Sequence, residues 1–150
     1  MSNINLPREK FQEKIYKEFP KLYADVNKPA YQTSMCWGID TGPGWYDLIY
    51  DLSAKLEKLI TDLPQDQKDW DCKAAQVKEK FGGLRFYMTA ETEEMSNLIR
   101  EAENQSVQTC EQCGKPGQLI KAGWIYCACK DCVKEEHKNQ FEEPKKENEQ

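Results

Sequence analysis

Apolar residues recur at helical spacing in three segments of the chain, and we expect each segment to form an amphipathic helix. Residues 7–24, 45–63 and 91–106 place an apolar residue at every third or fourth position. The apolar stripes are Phe11, Ile15, Phe19 and Leu22, then Leu48, Leu52, Leu56 and Ile60, then Met95, Leu98, Ile99 and Ala102. Between the first two helices, the glycines and prolines of residues 27–44 predict an irregular loop.

Residues 72–89 alternate between apolar and polar positions, which predicts a β-hairpin. Gly82 and Gly83 predict the turn, because glycine readily adopts the positive φ angles of a tight hairpin, and this turn would pair Phe81 with Leu84. The face expected to meet the core carries Val77, Glu79, Phe81, Leu84, Phe86 and Met88. The opposite face, which is cationic, carries Gln76, Lys78, Lys80, Arg85, Tyr87 and Thr89.

Two Cys-x2-Cys pairs lie in residues 108–132, and 15 residues separate them. Each pair places two sulfurs on one side of a metal ion, so the pattern predicts one Zn²⁺ bound by four thiolates. The predicted ligands are Cys110, Cys113, Cys129 and Cys132. A closed site of this kind leaves no coordination position for water, so the zinc is expected to be structural.

Cys127 is a competing ligand, since the spacing Cys127-x4-Cys132 would also close a site. We favour Cys129 because the paired two-residue spacing is the more common geometry.

These elements predict an α+β fold in which helices pack on a small antiparallel β-hairpin or sheet, followed by a zinc-ribbon-like module. The expected organisation is a core domain over residues 1–107, the zinc-ribbon module over 108–132 and a charged tail over 133–150. The tail is expected to begin as a helix and to be disordered after Pro144.

The charge and cysteine content indicate which partners and which cellular compartment we expect for the protein. A formal net charge of -5 argues against charge-driven binding to duplex DNA, although a local basic patch is compatible with it. The chain has no run of about 20 apolar residues that would span a membrane, and its first residues mix charges of both signs. We therefore expect no membrane association and a cytoplasmic location. Seven cysteines in a reducing compartment indicate metal ligands and buried thiols.

Two groups of residues are candidates for binding a ligand or partner. Trp37 and Trp45 flank a glycine-rich turn that carries Asp40 before the second helix, a combination that suits a nucleotide or a peptide. The cationic hairpin face combines basic side chains with a tyrosine, which is typical of phosphate and base contacts. Its candidate residues are Lys78, Lys80, Arg85 and Tyr87. The alternatives are a loop that covers the core and a solvated strand face.

Catalysis has little support in the sequence. His137 is the single histidine and falls in the charged tail, and no cysteine has an identifiable activating partner. An enzyme, for example a nucleotide hydrolase, would have to use carboxylates such as Glu79, Asp40 or Asp71. Glu79 lies among apolar residues and is expected to pair with an arginine such as Arg100 or to reach the sheet edge.

The motifs QVKEKFGGLRFY, AENQS, TCEQCGKPG, GW and the final Cys-x2-Cys, in this order, resemble a family of small proteins encoded by tailed bacteriophages and prophages. The upstream GPGWYDLI is similar to the same family, and the resemblance spans roughly residues 31–132. It implies a phage setting, hence the host cell cytoplasm, more than an activity. The family tends to have a residue other than cysteine at the position of Cys127, which supports Cys129 as the ligand.

The favoured hypothesis is a zinc-binding phage protein that acts as a binding or inhibitory module in counter-defence, by capturing a host protein or a signalling nucleotide. One alternative is a nucleic-acid-binding accessory protein, and another is a nucleotide-processing enzyme. A dimer is permitted if an edge of the hairpin is exposed.

Overall fold

The computed structural model describes residues 2–141 and confirms the predicted α+β class. Within these residues, the chain forms three α-helices, a three-stranded sheet and a two-stranded sheet. They are α1 (Arg8–Glu18), β1 (Ile39–Asp40), α2 (Tyr46–Thr61), β2 (Ala74–Lys80), β3 (Gly83–Met88), α3 (Glu93–Ser106), β4 (Gln118–Lys121) and β5 (Ile125–Ala128). Short 3₁₀ turns precede β1 and α2, and a longer one covers Glu135–Phe141.

The first helix ends earlier than the predicted range of 7–24. It stops at Glu18 because Pro20 disfavours helical geometry at Phe19. Leu22 is nevertheless fully buried, and its N–H donates to Glu57 Oε1 of α2 at 2.7 Å. The apolar periodicity therefore identified a core residue correctly but assigned it to the wrong backbone conformation.

The hairpin turn lies one residue before the predicted Gly-Gly turn. Lys80 pairs with Gly83, and the two turn residues are Phe81 and Gly82, with φ angles of 53° and 83°. Positive φ at both positions is the geometry of a type I′ turn. Because the pairing slides by one residue on each strand, the predicted faces survive: Val77, Leu84 and Phe86 are buried on one side. Phe81, by contrast, leaves the core face and is 65% exposed.

The predicted loop over residues 27–44 contains a strand that the sequence analysis missed. β1 pairs in parallel with β2, with Ile39 beside Val77 and Asp40 beside Lys78. The sheet order is β1-β2-β3, so β2 is central. At the β3 edge of the sheet, the N–H of Leu84 donates to Ser106 of α3, and the N–H of Phe86 donates to Glu103 of the same helix. The exposed hairpin edge that we expected to permit a dimer is thus covered over this part of β3.

The core forms between one face of the three-stranded sheet and the helices. It includes apolar side chains of all three helices and of all three strands in one cluster. A second, smaller cluster of five buried residues lies in the cysteine module: Cys110, Ile120, Ala128, Cys129 and Val133. No helix within residues 2–141 has the length and apolar character needed to cross a bilayer. The predicted disorder after Pro144 lies outside the described residues.

Candidate metal centre and binding surfaces

The two Cys-x2-Cys pairs meet at one point of the C-terminal module. The Sγ atoms of Cys110, Cys113, Cys129 and Cys132 all lie within 4.8 Å of one another, and those of Cys113 and Cys129 are 3.5 Å apart. This is the quartet that the spacing predicts. Four sulfurs this close are compatible with a structural metal site.

Backbone hydrogen bonds hold each pair in a tight turn. The N–H of Gly114 donates to the carbonyl of Cys110 at 2.9 Å, and Gly114 has a φ of 78°, which favours glycine. In the second pair, the N–H of Val133 donates to the carbonyl of Cys129 at 3.0 Å. β4 and β5 form the hairpin between the pairs.

The surroundings of the quartet shift the pKa values of its thiols in both directions. Burial acts to raise the pKa of Cys129, but hydrogen bonds from Cys113 and from the N–H groups of Cys132 and Asp131 outweigh it and lower that pKa to about 7. Burial, together with the neighbouring thiols, raises the pKa of Cys132. The lowered pKa of Cys129 favours its thiolate, which is the form that binds metals.

Cys127, the competing ligand, faces away from this quartet. It is 2% exposed and packs in the main core, where its Sγ lies 3.1 Å from the carbonyl oxygen of Thr109. Burial raises the pKa of its thiol to about 11, with nearby negative groups adding to the effect. Cys127 is therefore a protonated core thiol that ties β5 to the chain just before Cys110.

The cysteine module is attached to the start of α2. The N–H of Gly44 donates to the carbonyl of Glu111 at 2.7 Å, and the N–H of Gly42 donates to Glu111 Oε2 at 2.8 Å. A Cβ at Gly44 would collide with the carbonyl oxygen of Cys110. This close backbone approach explains why the chain has glycine here.

The proposed tryptophan site is not formed. Trp45 is fully buried, and its Nε1 donates to the carbonyl of Thr109 at 2.8 Å, so it cannot contact a ligand. Trp37 is 64% exposed and lines a separate cavity of about 350 Å³ with Arg8, Tyr16 and the exposed Cys36. The prediction that both tryptophans serve one ligand was wrong, since the 3₁₀ turn before α2 directs Trp45 into the core.

The four residues of the cationic hairpin face do share one surface. Lys78 lies directly opposite Arg85, and Tyr87, which is 42% exposed, follows two residues later on β3. Lys80 is exposed beside the turn. Within residues 2–141, no carboxylate approaches the charged nitrogens of Lys78, Lys80 or Arg85 within 4.0 Å, although Asp40 is in register with Lys78. This leaves a cationic patch on the sheet face opposite the core.

Two further candidates, Glu79 and His137, have structural roles. Glu79 is half-buried, and its Oε2 accepts from the N–H of Gly82 at 2.7 Å, so it stabilises the turn and does not pair with Arg100. The Nδ1 of His137 lies 2.6 Å from the hydroxyl of Tyr126. His137 thus joins the 3₁₀ turn after the cysteine module to β5, which the tail assignment did not foresee.

A groove beside the metal centre was missed by the sequence analysis. It has a volume of about 630 Å³ and lies between the β2–β3 turn and the β4–β5 hairpin. Glu79, Phe81, Glu111 and Trp124 line it. Burial raises the pKa of Glu111. The hydrogen bond from the N–H of Gly42 acts to lower this pKa, whereas the charges of Glu79 and Asp40 act to raise it further. In the sequence, the one signal for this groove was Phe81, which directly precedes the turn residue Gly82.

Neither a protein-family model, a curated protein nor a solved structure matches the chain.

Proposed function

We propose that the four cysteines bind one Zn²⁺ ion and that its role is structural. In a tetrahedral site with Zn–S bonds of about 2.3 Å, neighbouring sulfurs lie about 3.8 Å apart, close to the separations found here. Such a site uses all four positions for thiolates and holds no water for chemistry. The buried cluster around the quartet has five residues, a core so small that a metal crosslink would supply much of its stability.

Metal analysis of two matched variants tests this assignment. We expect Cys129→Ser to lose most of the bound zinc, because it removes a ligand, whereas Cys127→Ser should keep one equivalent per chain. Inductively coupled plasma mass spectrometry on the purified proteins measures both. Loss of zinc from Cys127→Ser with retention in Cys129→Ser would overturn the ligand set.

We further propose that the protein is a binding module that captures a host macromolecule through the cationic sheet face, in keeping with the counter-defence role expected of a phage protein. The open face with Lys78, Lys80 and Arg85, free of acidic partners within residues 2–141, carries this proposal. Three basic side chains on one partly exposed face favour a partner with an anionic surface, although Asp40 lies beside Lys78. The host protein is the first candidate, and phage origin rests on the sequence resemblance alone.

Single-stranded nucleic acid is the second candidate, favoured by Tyr87 beside the basic residues. Aromatic side chains stack on bases, and lysine and arginine contact phosphates. Capture of a small nucleotide loses support, because the buried Trp45 cannot contribute a stacking surface.

A charge-reversal pair tests whether the cationic sheet face is the interface, and the choice of probe separates the two candidate partners. Lys78→Glu/Arg85→Glu should abolish capture of a host protein in a pull-down and in a reconstituted complex with the purified partner. Lys17→Glu/Lys55→Glu makes the same change of charge on exposed helix positions and should leave capture intact. Fluorescence anisotropy with a single-stranded oligothymidylate at increasing salt tests the second candidate, which predicts steep weakening with salt. Equal binding by both double variants would contradict the sheet face as the interface.

A further inference from the structure

We propose that the groove between the β2–β3 turn and the β4–β5 hairpin binds a cationic side chain, arginine or lysine, in a basic peptide segment of a partner protein. This goes beyond the proposed function, because the groove and the cationic sheet face are lined by different residues. The groove encloses about 630 Å³, enough for one long side chain and its neighbouring backbone.

Two large aromatic rings give the groove walls suited to a cation. Phe81 is 65% exposed and Trp124 is 52% exposed. Each ring already has an ammonium group of the chain above it: Lys80 Nζ lies 5.5 Å from the ring centroid of Phe81, and Lys134 Nζ lies 4.2 Å from that of Trp124. Aromatic faces attract ammonium and guanidinium groups through the ring quadrupole. These walls therefore present the chemistry that recognises a basic side chain.

Two carboxylates line the groove. Glu79 and Glu111 each accept one backbone N–H through Oε2, from Gly82 and Gly42 respectively. Among residues 2–141, neither Oε1 has a hydrogen-bond partner, and no lysine or arginine nitrogen lies within 4.0 Å of either carboxylate. One oxygen of each thus stays available to a guanidinium or ammonium donor.

The turn fixes the position of the Phe81 wall. A Cβ at Gly82 would lie 2.6 Å from a methyl carbon of Leu119 and 3.2 Å from Ile125, so the turn backbone rests directly against the second hairpin. The aromatic ring is therefore held at the rim of the groove by packing of the backbone. Because the ring itself is mostly exposed, core formation does not account for its presence there.

Binding of defined peptides tests the inference. The probe is a short blocked peptide with a central arginine, and its control carries citrulline, which keeps the shape and removes the charge. We expect saturable binding of the arginine peptide to the zinc-loaded protein, with ¹⁵N chemical-shift changes at Gly82, Gly123 and the indole N–H of Trp124. The citrulline peptide should bind about two- to thirtyfold more weakly.

Variants separate the groove from the sheet face. Glu79→Gln/Glu111→Gln keeps the acceptors for both backbone N–H groups and should weaken arginine-peptide binding, as should Phe81→Asn. Lys78→Glu/Arg85→Glu should leave it unchanged, so failure of this inference is distinct from failure of the proposed function. Retained zinc and circular dichroism spectra show that each variant is folded. Equal affinity for the two peptides, shifts confined to other residues, or concentration-dependent self-association that fills the groove would overturn the proposal.

Discussion

Phe81 occupies a backbone position that usually belongs to asparagine, aspartate or glycine. Its φ of 53° lies in the left-handed region, which costs a residue with a Cβ about 1 kcal/mol or more. We expect Phe81→Asn to raise the free energy of unfolding by about 1 kcal/mol, measured by urea denaturation. Phe81→Ala, which retains the backbone cost, is the control and should give no comparable gain. A destabilised Phe81→Asn would show that the phenyl ring contributes more to the fold than its exposure indicates.

The sequence pattern predicted which face of the sheet a residue lies on better than it predicted the position of the hairpin turn. From Gln76 onward both strands keep a period of two, so the core face of Val77, Leu84 and Phe86 was correct although the turn had moved by one residue, whereas Phe81 left that face. The Gly82-Gly83 pair suggested the wrong turn because phenylalanine is an unusual choice at positive φ. The sequence also did not indicate that Trp45 is buried and Trp37 exposed, since the burial of Trp45 depends on its long-range hydrogen bond to Thr109.

At the scale of elements, α3 protects the edge of the sheet. Ser106 is fully buried, and its Oγ accepts from the N–H of Leu84 at 2.9 Å and donates to the carbonyl of Glu103 at 2.6 Å. Its removal would leave the buried N–H of Leu84 without this acceptor. We expect Ser106→Ala to lower the free energy of unfolding by about 1–3 kcal/mol, by urea denaturation.

Ser96→Ala on the same helix is the matched control for this prediction. Ser96 hydrogen-bonds to the exposed carboxylate of Glu91, so its loss should change the free energy of unfolding by less than about 0.5 kcal/mol. Equal effects of the two substitutions would argue against a role of Ser106 at the sheet edge. Local periodicity predicted α3 but not this contact, because the partners of an edge strand depend on how distant elements pack.

On the scale of the whole molecule, two hydrophobic clusters of unequal size are joined by several contacts. The start of α2 contacts the cysteine module through Gly44 and Trp45, and Cys127 anchors β5 in the main core. We expect removal of the metal by a chelator to open the β4–β5 hairpin first and then to weaken the core around Trp45. Hydrogen exchange should speed up at Gly114 and Ile120 before it does at Val77. Uniform loss of protection across the chain would contradict this order.

Cysteine spacing was enough to predict which four cysteines come together, because a Cys-x2-Cys turn is a local structure. How the module docks on the core was not predictable, since it depends on the backbone approach of Gly44 to Cys110, which are far apart in the chain. The parallel strand β1 was missed for the same reason: two residues carry too little pattern to indicate a strand whose partner lies in a distant segment.

The exposure of Cys36 gives the protein a built-in labelling site. Of the seven cysteines, Cys36 alone is exposed, Cys72 and Cys127 are buried, and the other four form the quartet. An alkylating reagent should therefore attach to one thiol per chain while the quartet is coordinated, and to several once it is not. The mass of the alkylated protein would then report metal occupancy molecule by molecule, and a fluorophore on Cys36 would sit beside Trp37 without disturbing either proposed binding surface.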